Sequence, residues 1–353
     1  MVTLKAGRQE ALPEPERPRE PEGARASGQT RRILVVRNGQ AGQFAALGRT
    51  PDRAMIESAL RRHGITAEVF DSESEADTAR RVDQAVAERF DAIVAAGGDG
   101  TVESVALRLI DTETALAVLP LGTAQNIARS IGIPRDLDGA AALVADGTVR
   151  RMDIGEVHTP AVRPFLGAVS IGLTAEILAQ GGHLDEGRYG AFLATLRRAV
   201  RREAVRIDVE LDGRRIEARA IGLVVANAPY TGLAISVAPD AGLDDHQLDV
   251  VIFEGFSRWG LLRYLLRRLW GRRPGGRKPA KRGILMLRGR NVRVTARHPL
   301  AVRVDSNDLG TTPVEVGVRP GALRVIAPVL AQDSDHAAGT FRTGGHSITG
   351  GGS

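Results

Sequence analysis

A run of apolar residues that ends in three glycines is the feature that most limits how this chain can fold. Residues 92–96 are apolar and suit a strand buried on both faces, as in a parallel sheet. The residues from Val102 to Ile110 have the pattern of a helix. Between them lies the first glycine loop, made of Gly97, Gly98, Asp99, Gly100 and Thr101. A strand, a glycine turn and a helix in this order predict an α/β unit, with the helix N-terminus at the carboxyl edge of the sheet.

The first glycine loop also has the chemistry of a phosphate site. Glycines lack Cβ and let a phosphate approach the backbone, while the N–H groups and the positive dipole end of the helix attract an anion. Asp99 is predicted to hold Mg²⁺ or to orient a nucleotide, and Thr101 to cap the helix and bind a phosphate oxygen. A Gly-Gly pair alone is more often an ordinary turn, so this loop does not decide the function by itself.

A second glycine loop of similar chemistry follows the next predicted strand, residues 116–119. It contains Gly122, Thr123 and Asn126, and a short helix with Arg129 comes after it. Arg129 is either a phosphate contact or a surface charge. Ligands of open parallel sheets bind outside the carboxyl ends of the strands, so both loops are expected at one crevice. Together the two loops predict a nucleotide site.

Strands and helices alternate between residues 32 and 151. We predict strands at 33–37 and 66–70, a helix that starts with Thr50 as its cap and Pro51 as its first residue, and a helix over 75–90. Alternation of this kind indicates a parallel sheet with right-handed crossovers.

The chain becomes rich in β-strand patterns after Met152. Residues 205–211 and 214–220 flank Asp212-Gly213, a strong hairpin signal. Further strands are predicted at 222–226, 248–253, 284–287, 291–295, 301–304 and 323–326, and helices at 189–202 and 259–270. This half is predicted to be an antiparallel sandwich or barrel.

Length and composition indicate two domains between two tails. The chain has 353 residues with 43% hydrophobic content, more than one domain usually holds. Residues 1–30 and 331–353 have few large apolar side chains and are predicted to be disordered. We place a nucleotide-binding α/β domain at 31–151 and a β-rich domain at 152–316. The charges of the first tail cancel, so the excess of basic residues belongs to the folded part.

Composition also excludes some classes of function. The absence of cysteine excludes disulfides and thiolate metal sites, and a cytoplasmic setting is expected. We find no apolar stretch of signal-peptide type and none long enough to span a bilayer. The basic charge comes with no recognised nucleic-acid motif and only 4% aromatic residues, so no nucleic-acid partner is expected. The sequence leaves a homodimer open.

The two loops and the motifs after them resemble a known family, the diacylglycerol kinase catalytic domain of bacterial lipid kinases and sphingosine kinases. That family shares its Gly-Gly-Asp-Gly-Thr loop with NAD kinases. The second loop matches the family at Pro120, Leu121, Gly122, Thr123, Ala128 and Arg129. Later matches are Met152–Gly155, Val169–Ala175, Asn227–Pro239, Asp244-Asp245 and Leu248–Val250. The ordered series runs through residues 31–330 and is more specific than any single motif.

The resemblance implies both a fold and a function. The fold would be an NAD kinase-like α/β domain with a parallel sheet, followed by a mainly antiparallel β-sandwich, with a strand near 317–330 returning to the first domain. ATP would lie between the domains, and its γ-phosphate would move to the hydroxyl of a diacylglycerol-like or sphingoid lipid in the presence of Mg²⁺. The alternatives are an NAD kinase and a lipid or nucleotide sensor without catalysis.

The matched positions also imply the residues of the site. Those that would bind ATP are Asn38, Gly97, Gly98, Gly100, Thr101, Gly122, Thr123 and Asn126. Asp99 would act on the Mg²⁺-nucleotide, and Asp244 and Asp245 would lie at a Mg²⁺. His246 stands where the family usually has glycine. Asn38 and Gly42 stand where the family has an Asn-Pro-x-Ser-Gly loop after the first strand, but Gly39 and Ala41 replace its proline and serine. The alternative for this loop is an ordinary turn from strand to helix.

The position of the base that the family is proposed to use differs in this chain. The family's Asp-Gly-Glu matches Asp305-Ser306-Asn307, and an amide cannot accept the proton of an attacking hydroxyl. Asp308 or Asp305 would then be the base, although Asp308 needs a turn or bulge to face the same way. The same substitution favours the sensor alternative.

The stretch from Ser257 to Arg282 combines apolar and aromatic side chains with many arginines and no acid. Such a pattern is typical of docking on an anionic membrane surface, where a lipid kinase meets its substrate. A helix that packs between domains, followed by a solvated loop, is the alternative. The protein is accordingly expected at the inner face of the membrane, bound peripherally.

Overall fold

The computed structural model describes residues 3–5, 31–38, 51–159, 161–179, 204–231, 235–254 and 283–329. The helices are α1 (Arg53–Arg62), α2 (Glu75–Ala87), α3 (Asp99–Leu109), α4 (Asn126–Ile131), α5 (Leu137–Asp146) and α6 (Leu173–Ala179). The strands are β1 (Thr3–Lys5), β2 (Ile33–Asn38), β3 (Ala67–Ser72), β4 (Ala92–Gly97), β5 (Ala115–Pro120), β6 (Thr148–His158), β7 (Val162–Phe165), β8 (Ala168–Gly172), β9 (Val205–Leu211), β10 (Arg214–Ala226), β11 (Tyr230–Thr231), β12 (Ile235–Ser236), β13 (Leu248–Glu254), β14 (Ile284–Gly289), β15 (Asn291–Ala296), β16 (Ala301–Val304), β17 (Asn307–Thr311) and β18 (Val314–Ala327).

The first half of the chain forms a parallel sheet in the order β3-β2-β4-β5. β4 and β5 are buried along their whole length, as strands covered by helices on both faces must be. The carboxyl ends of the strands meet at one edge, where Arg37 is level with Ala96, and Gly97 with Pro120. The predicted parallel α/β fold is confirmed.

Helix starts show where local chemistry overrides the sequence pattern. α1 begins at Arg53 with Asp52 as its cap, because the Asp52 carboxylate accepts the N–H of Met55 at 2.9 Å. The predicted start, with Thr50 as the cap and Pro51 as the first residue, is therefore two residues too early. α2 begins at Glu75 as predicted, and it ends at Ala87, three residues before the predicted end.

The second half is a mainly antiparallel β-sandwich, as predicted. The β9–β10 hairpin turns at Asp212-Gly213, where both residues have positive φ (48° and 78°), as a type I′ turn requires. The predicted strands 214–220 and 222–226 form the single strand β10, with an irregular register between Ala220 and Leu223. Alternate residues of β9 and β15, such as Val209 and Val294, fill the sandwich core.

Two long strands, β6 and β18, run through both halves. They pair antiparallel from Glu315 and His158 to Ala327 and Thr148. β18 pairs with β15 of the sandwich at one end and parallel with β5 at the other, where Val325 is level with Leu116. The boundaries that we placed at 151/152 and 316/317 thus fall inside continuous strands.

Some predictions concern residues outside the described ranges. These are the helices at 189–202 and 259–270, the membrane stretch 257–282, the loop after Asn38, and the two tails apart from residues 3–5. The disorder predicted for residues 1–30 is wrong at Thr3–Lys5, which form β1 and pair antiparallel with β10.

Candidate functional site

The two glycine loops touch each other at the carboxyl edge of the parallel sheet. A Cβ built on Gly122 would lie 2.5 Å from the Cα of Gly98, so Gly122 has no room for a side chain. The N–H of Leu121 also donates to the carbonyl of Gly97 at 2.9 Å. The two glycine loops therefore form one continuous backbone surface where we predicted a crevice.

Asp99 joins the same two loops from the other side. Its carboxylate accepts the backbone N–H of Asn126 (3.0 Å), the side-chain amide of Asn126 (3.2 Å) and the N–H of Ile127 (3.1 Å). A carboxylate at this position satisfies the first N–H groups of α4 and opposes the positive end of its dipole. This differs from the predicted role, since the Asp99 oxygens bind the protein's own donors rather than pointing freely at a nucleotide. The Asn126 amide is likewise used within the loop.

Among the described residues, the N-terminus of α3 is the part of the first glycine loop that stays open. α3 begins at Asp99 with Gly98 as its cap, and glycine provides no side-chain acceptor for the first N–H groups. A Cβ on Gly100 would meet nothing within 4 Å, so no described residue requires a glycine there. Thr101 lies inside α3 and is not its cap, which corrects the prediction for this residue. Its buried side chain packs against the backbone of Gly97.

The remaining predicted nucleotide contacts surround this opening. Asn38 ends β2 at the same edge of the sheet, and Thr123 follows Gly122 in the second loop. Gln125 has positive φ (55°) and donates from its side chain to the carbonyl of Pro120 at 2.8 Å, which folds the second loop back on itself. Arg129 stacks on the ring of Tyr230 of β11, 4.5 Å from the ring centre. Arg129 thus connects α4 with the β-rich half through this ring contact.

Asp305 is held in the turn between β16 and β17. Its carboxylate accepts the N–H groups of Leu166 (3.0 Å), Gly167 (3.0 Å) and Ala168 (2.9 Å). The residue has positive φ (46°), and its turn backbone is partly exposed although the carboxylate is buried. Burial raises the pKa of Asp305, the three N–H donors lower it, and the charge of Asp99 raises it further. Asp305 therefore lies within electrostatic range of the first glycine loop, but its oxygens are engaged.

Asp308 lies on the opposite side of this hairpin. Its side chain is 82% exposed and pairs with Arg303 at 2.6 Å. The bulge that would reorient Asp308 exists, since the register shifts between Val302 and Arg303, but it places Asp308 beside Arg303 in solvent. In this arrangement Asp308 is exposed beside Arg303 and Asp305 is engaged by three backbone donors, so neither carboxylate is free, and the assignment of the base to either one stays a prediction. Asn307 is exposed at the start of β17.

Asp244 and Asp245 face arginines. Asp244 pairs with Arg150, and Asp245 lies 3.6 Å from Arg288, which also pairs with the buried Asp249 at 3.0 Å. In the part of the chain that the structure describes, no three His, Cys, Asp or Glu side chains are placed to hold a metal. As arranged, these two carboxylates do not fit a Mg²⁺ site, and the magnesium assignment stays a prediction.

Sequence reasoning missed a buried junction at Asp153. This carboxylate is fully buried and accepts the backbone N–H of His246 (2.6 Å) and of Gly321 (2.7 Å), with the His246 Nδ1 at 3.0 Å. His246 has positive φ (59°), which explains why glycine suits this position. The sequence did contain a sign of this junction, because His246 occupies a position where the resembled family usually has glycine.

Sequence reasoning also missed Glu103, which lies four residues after Asp99 on α3. Burial raises its pKa to about 7, and the charges of Asp305, Glu75 and Asp99 raise it in the same direction. The spacing of Asp99 and Glu103 could have indicated this position, because residues four apart share one face of a helix.

An α/β domain with two glycine loops at one edge, continued by an antiparallel sandwich, defines the class of diacylglycerol kinase-like proteins. Residues 32–157 match the diacylglycerol kinase catalytic domain, and residues 167–327 match the YegS C-terminal NAD kinase beta sandwich-like domain. The chain belongs to this family of lipid kinases.

Individual relatives agree with this assignment. A probable lipid kinase YegS-like from Pseudomonas aeruginosa is 31% identical over 302 residues, which cover 84% of this chain and 94% of that protein. An uncharacterized protein from Synechocystis sp. is 28% identical over 241 residues, 67% of this chain but only 55% of its own length. The crystal structure of a putative diacylglycerol kinase from Bacillus anthracis superposes with a TM-score of 0.66 at 21% identity, over 84% of this chain and 96% of that one. This last similarity concerns the fold.

Proposed function

We propose that this protein transfers the γ-phosphate of MgATP to the hydroxyl of a diacylglycerol-like or sphingoid lipid. The observation that carries the proposal is the contact between Gly98 and Gly122, which joins both glycine loops into one surface beside the open N-terminus of α3. The family description supports the kinase reaction and the diacylglycerol class of acceptor.

The nucleotide would approach the N-terminus of α3. Helix N-termini bind phosphates through their free N–H groups and dipole, and Gly100 leaves space for close approach. Asp99 would support this surface indirectly by fixing α4 against it. Phosphoryl transfer depends mainly on positioning and charge stabilisation, so a rigid pair of loops suits it.

The acceptor would come from the side of the β-rich half. The turn at Asp305 brings that half within electrostatic range of Asp99, so the region between them is where two substrates would meet. In the described ranges, no helix is long and apolar enough to cross a membrane. Docking of residues 257–282 on an anionic membrane surface stays part of this proposal.

The test is a transfer assay on the purified full chain with γ-labelled ATP, Mg²⁺ and NAD, and with diacylglycerol and a sphingoid lipid in anionic mixed micelles. We expect label in a phospholipid product and none on NAD. Label on NAD alone would establish the NAD kinase alternative, and nucleotide binding without transfer to any lipid would establish the sensor.

The matched variants for this assay are Asp99→Asn and Asp83→Asn. Asp99→Asn places an amide donor against the N–H groups of Asn126 and Ile127, so we expect loss of transfer and weaker ATP binding. Asp83 pairs with Arg108 on the outer surface of α2 and α3, so Asp83→Asn should keep full activity. Full activity of Asp99→Asn would contradict the placement of the nucleotide.

A further inference from the structure

The reaction proposed above needs a group that accepts the proton of the lipid hydroxyl, and the expected groups are engaged or absent. Asn307 is an amide. Asp305 binds three backbone N–H groups, and Asp308 is exposed and paired with Arg303. A general base must have a free oxygen within reach of the acceptor. The base therefore has to be sought elsewhere in the region between Asp99 and Asp305.

Glu103 is a carboxylate in that region with both oxygens free. Among the described residues it forms no hydrogen bond and no ion pair, although most acids on the surface of this arginine-rich chain are paired. It is half-buried and lies one turn after Asp99 on the same face of α3, about 6 Å further along the axis. Side chains of a helix lean towards its N-terminus, which for Glu103 is the open phosphate surface.

The charges around Glu103 come from three different elements and all have the same sign. Asp305 acts from the β16–β17 turn, Glu75 from the first turn of α2, and Asp99 from the glycine loop. Other charged side chains on the elements packed against α3 are paired elsewhere or exposed. The ion pairs are Asp77 with Arg80, Asp83 with Arg108, Arg319 with Asp111 and Glu156, and Arg324 with Glu113. Arg129 stacks on Tyr230, and Arg163 is exposed. Among the described residues no cation offsets the three carboxylates, so Glu103 keeps its proton up to about pH 7 and exchanges it near neutrality.

We propose that Glu103 is the general base of this kinase and takes the place of the carboxylate that Asn307 lacks. This inference rests on the proposed function. In the step, the acceptor O–H proton moves to a carboxylate oxygen of Glu103 as the hydroxyl oxygen forms a bond to the γ-phosphorus. The bond from the γ-phosphorus to the bridging oxygen breaks, and ADP leaves with that electron pair.

The test compares Glu103→Gln with the wild type in the transfer assay, across pH 5.5 to 9 (about 1.5 pH units below the pKa and 2 above it). The wild-type kcat should rise through an inflection near pH 7, where the free carboxylate forms. Glu103→Gln should lose kcat by about 100-fold or more and lose the inflection, with ATP affinity unchanged. Glutamine has the same size and no charge to bury, so the variant should fold.

Glu75→Gln is the matched control, because it removes one of the like charges that act on Glu103 from an exposed position. It should keep the wild-type plateau of kcat and move the inflection to lower pH. A purely structural role of Glu103 would not move that inflection. Retained kcat and an unchanged pH profile in Glu103→Gln would overturn the inference, as would loss of the inflection in Asp308→Asn. Absence of transfer in the wild type would instead overturn the proposed function.

Discussion

At the scale of single residues, Asp99 stabilises the fold as well as the site. Its carboxylate accepts three hydrogen bonds at the start of α4. Capping carboxylates contribute about 1–2 kcal/mol, so Asp99→Asn should lower the free energy of unfolding by about that amount. Urea denaturation measures the loss. Asp308→Asn is the control, because an exposed ion pair contributes less than about 1 kcal/mol. Equal losses in the two variants would contradict the capping role.

Glu103 gives a second prediction, on the pH dependence of stability. Its pKa rises from an ordinary 4.5 in the unfolded chain to about 7 in the fold, so between these values the native state binds more protons. Its contribution to stability is then fully present below about pH 4.5 and is lost as the pH rises to about 7. Relative to the wild type, Glu103→Gln should become more stable as the pH rises through this window. Urea midpoints at both ends measure the difference, and a constant difference would contradict the raised pKa.

At the scale of elements, the glycines of the two loops have different tasks. Gly122→Ala would push a Cβ against the Cα of Gly98 and separate the loops, so we expect lower stability and lost ATP binding. Gly100→Ala has open space and lies in the first turn of α3, where alanine favours the helix by up to about 1 kcal/mol.

The two variants therefore separate folding from binding. If phosphate approaches the backbone at Gly100, Gly100→Ala should weaken ATP binding while its melting temperature stays equal or rises. Calorimetric titration with MgATP and thermal melting measure the two effects. Unchanged ATP affinity in Gly100→Ala would place the phosphates elsewhere.

The sequence predicts elements well where the pattern is periodic and local. The buried strands β2, β4 and β5 and the Asp212-Gly213 hairpin follow from apolar runs and turn chemistry. Contacts between distant residues have no such signature. The sequence places Asp99 in a glycine loop, but which donors its carboxylate meets depends on the packing of α4, 27 residues away. The same holds for Asp305, whose three donors lie at Leu166, Gly167 and the first residue of β8. It also holds for Glu103, whose pKa is raised by burial and by charges on three separate elements.

At the scale of the whole molecule, β6 and β18 connect the two halves. Both strands pass without a break from the sandwich to the parallel sheet. Asp153 of β6 stabilises the connection between the two halves. Its carboxylate accepts the N–H of Gly321 at the irregular part of β18 and the N–H of His246 in the loop before β13. Arg129 on Tyr230 adds a contact between α4 and β11. The relative position of the glycine loops and the Asp305 turn therefore depends on buried contacts rather than on a linker.

This dependence predicts a joint effect on stability and catalysis at Asp153. Asp153→Asn turns an amide donor towards the N–H groups of His246 and Gly321 in a fully buried position, which should lower the free energy of unfolding by about 3 kcal/mol. Because the substrates would meet across this junction, kcat of the folded variant should also fall. Asp244→Asn is the matched control, since Asp244 forms a partly exposed ion pair with Arg150 and should lose less than about 1 kcal/mol. Urea denaturation and the transfer assay at saturating MgATP measure both effects, and a stable, fully active Asp153→Asn would show that the two halves hold their arrangement without this contact.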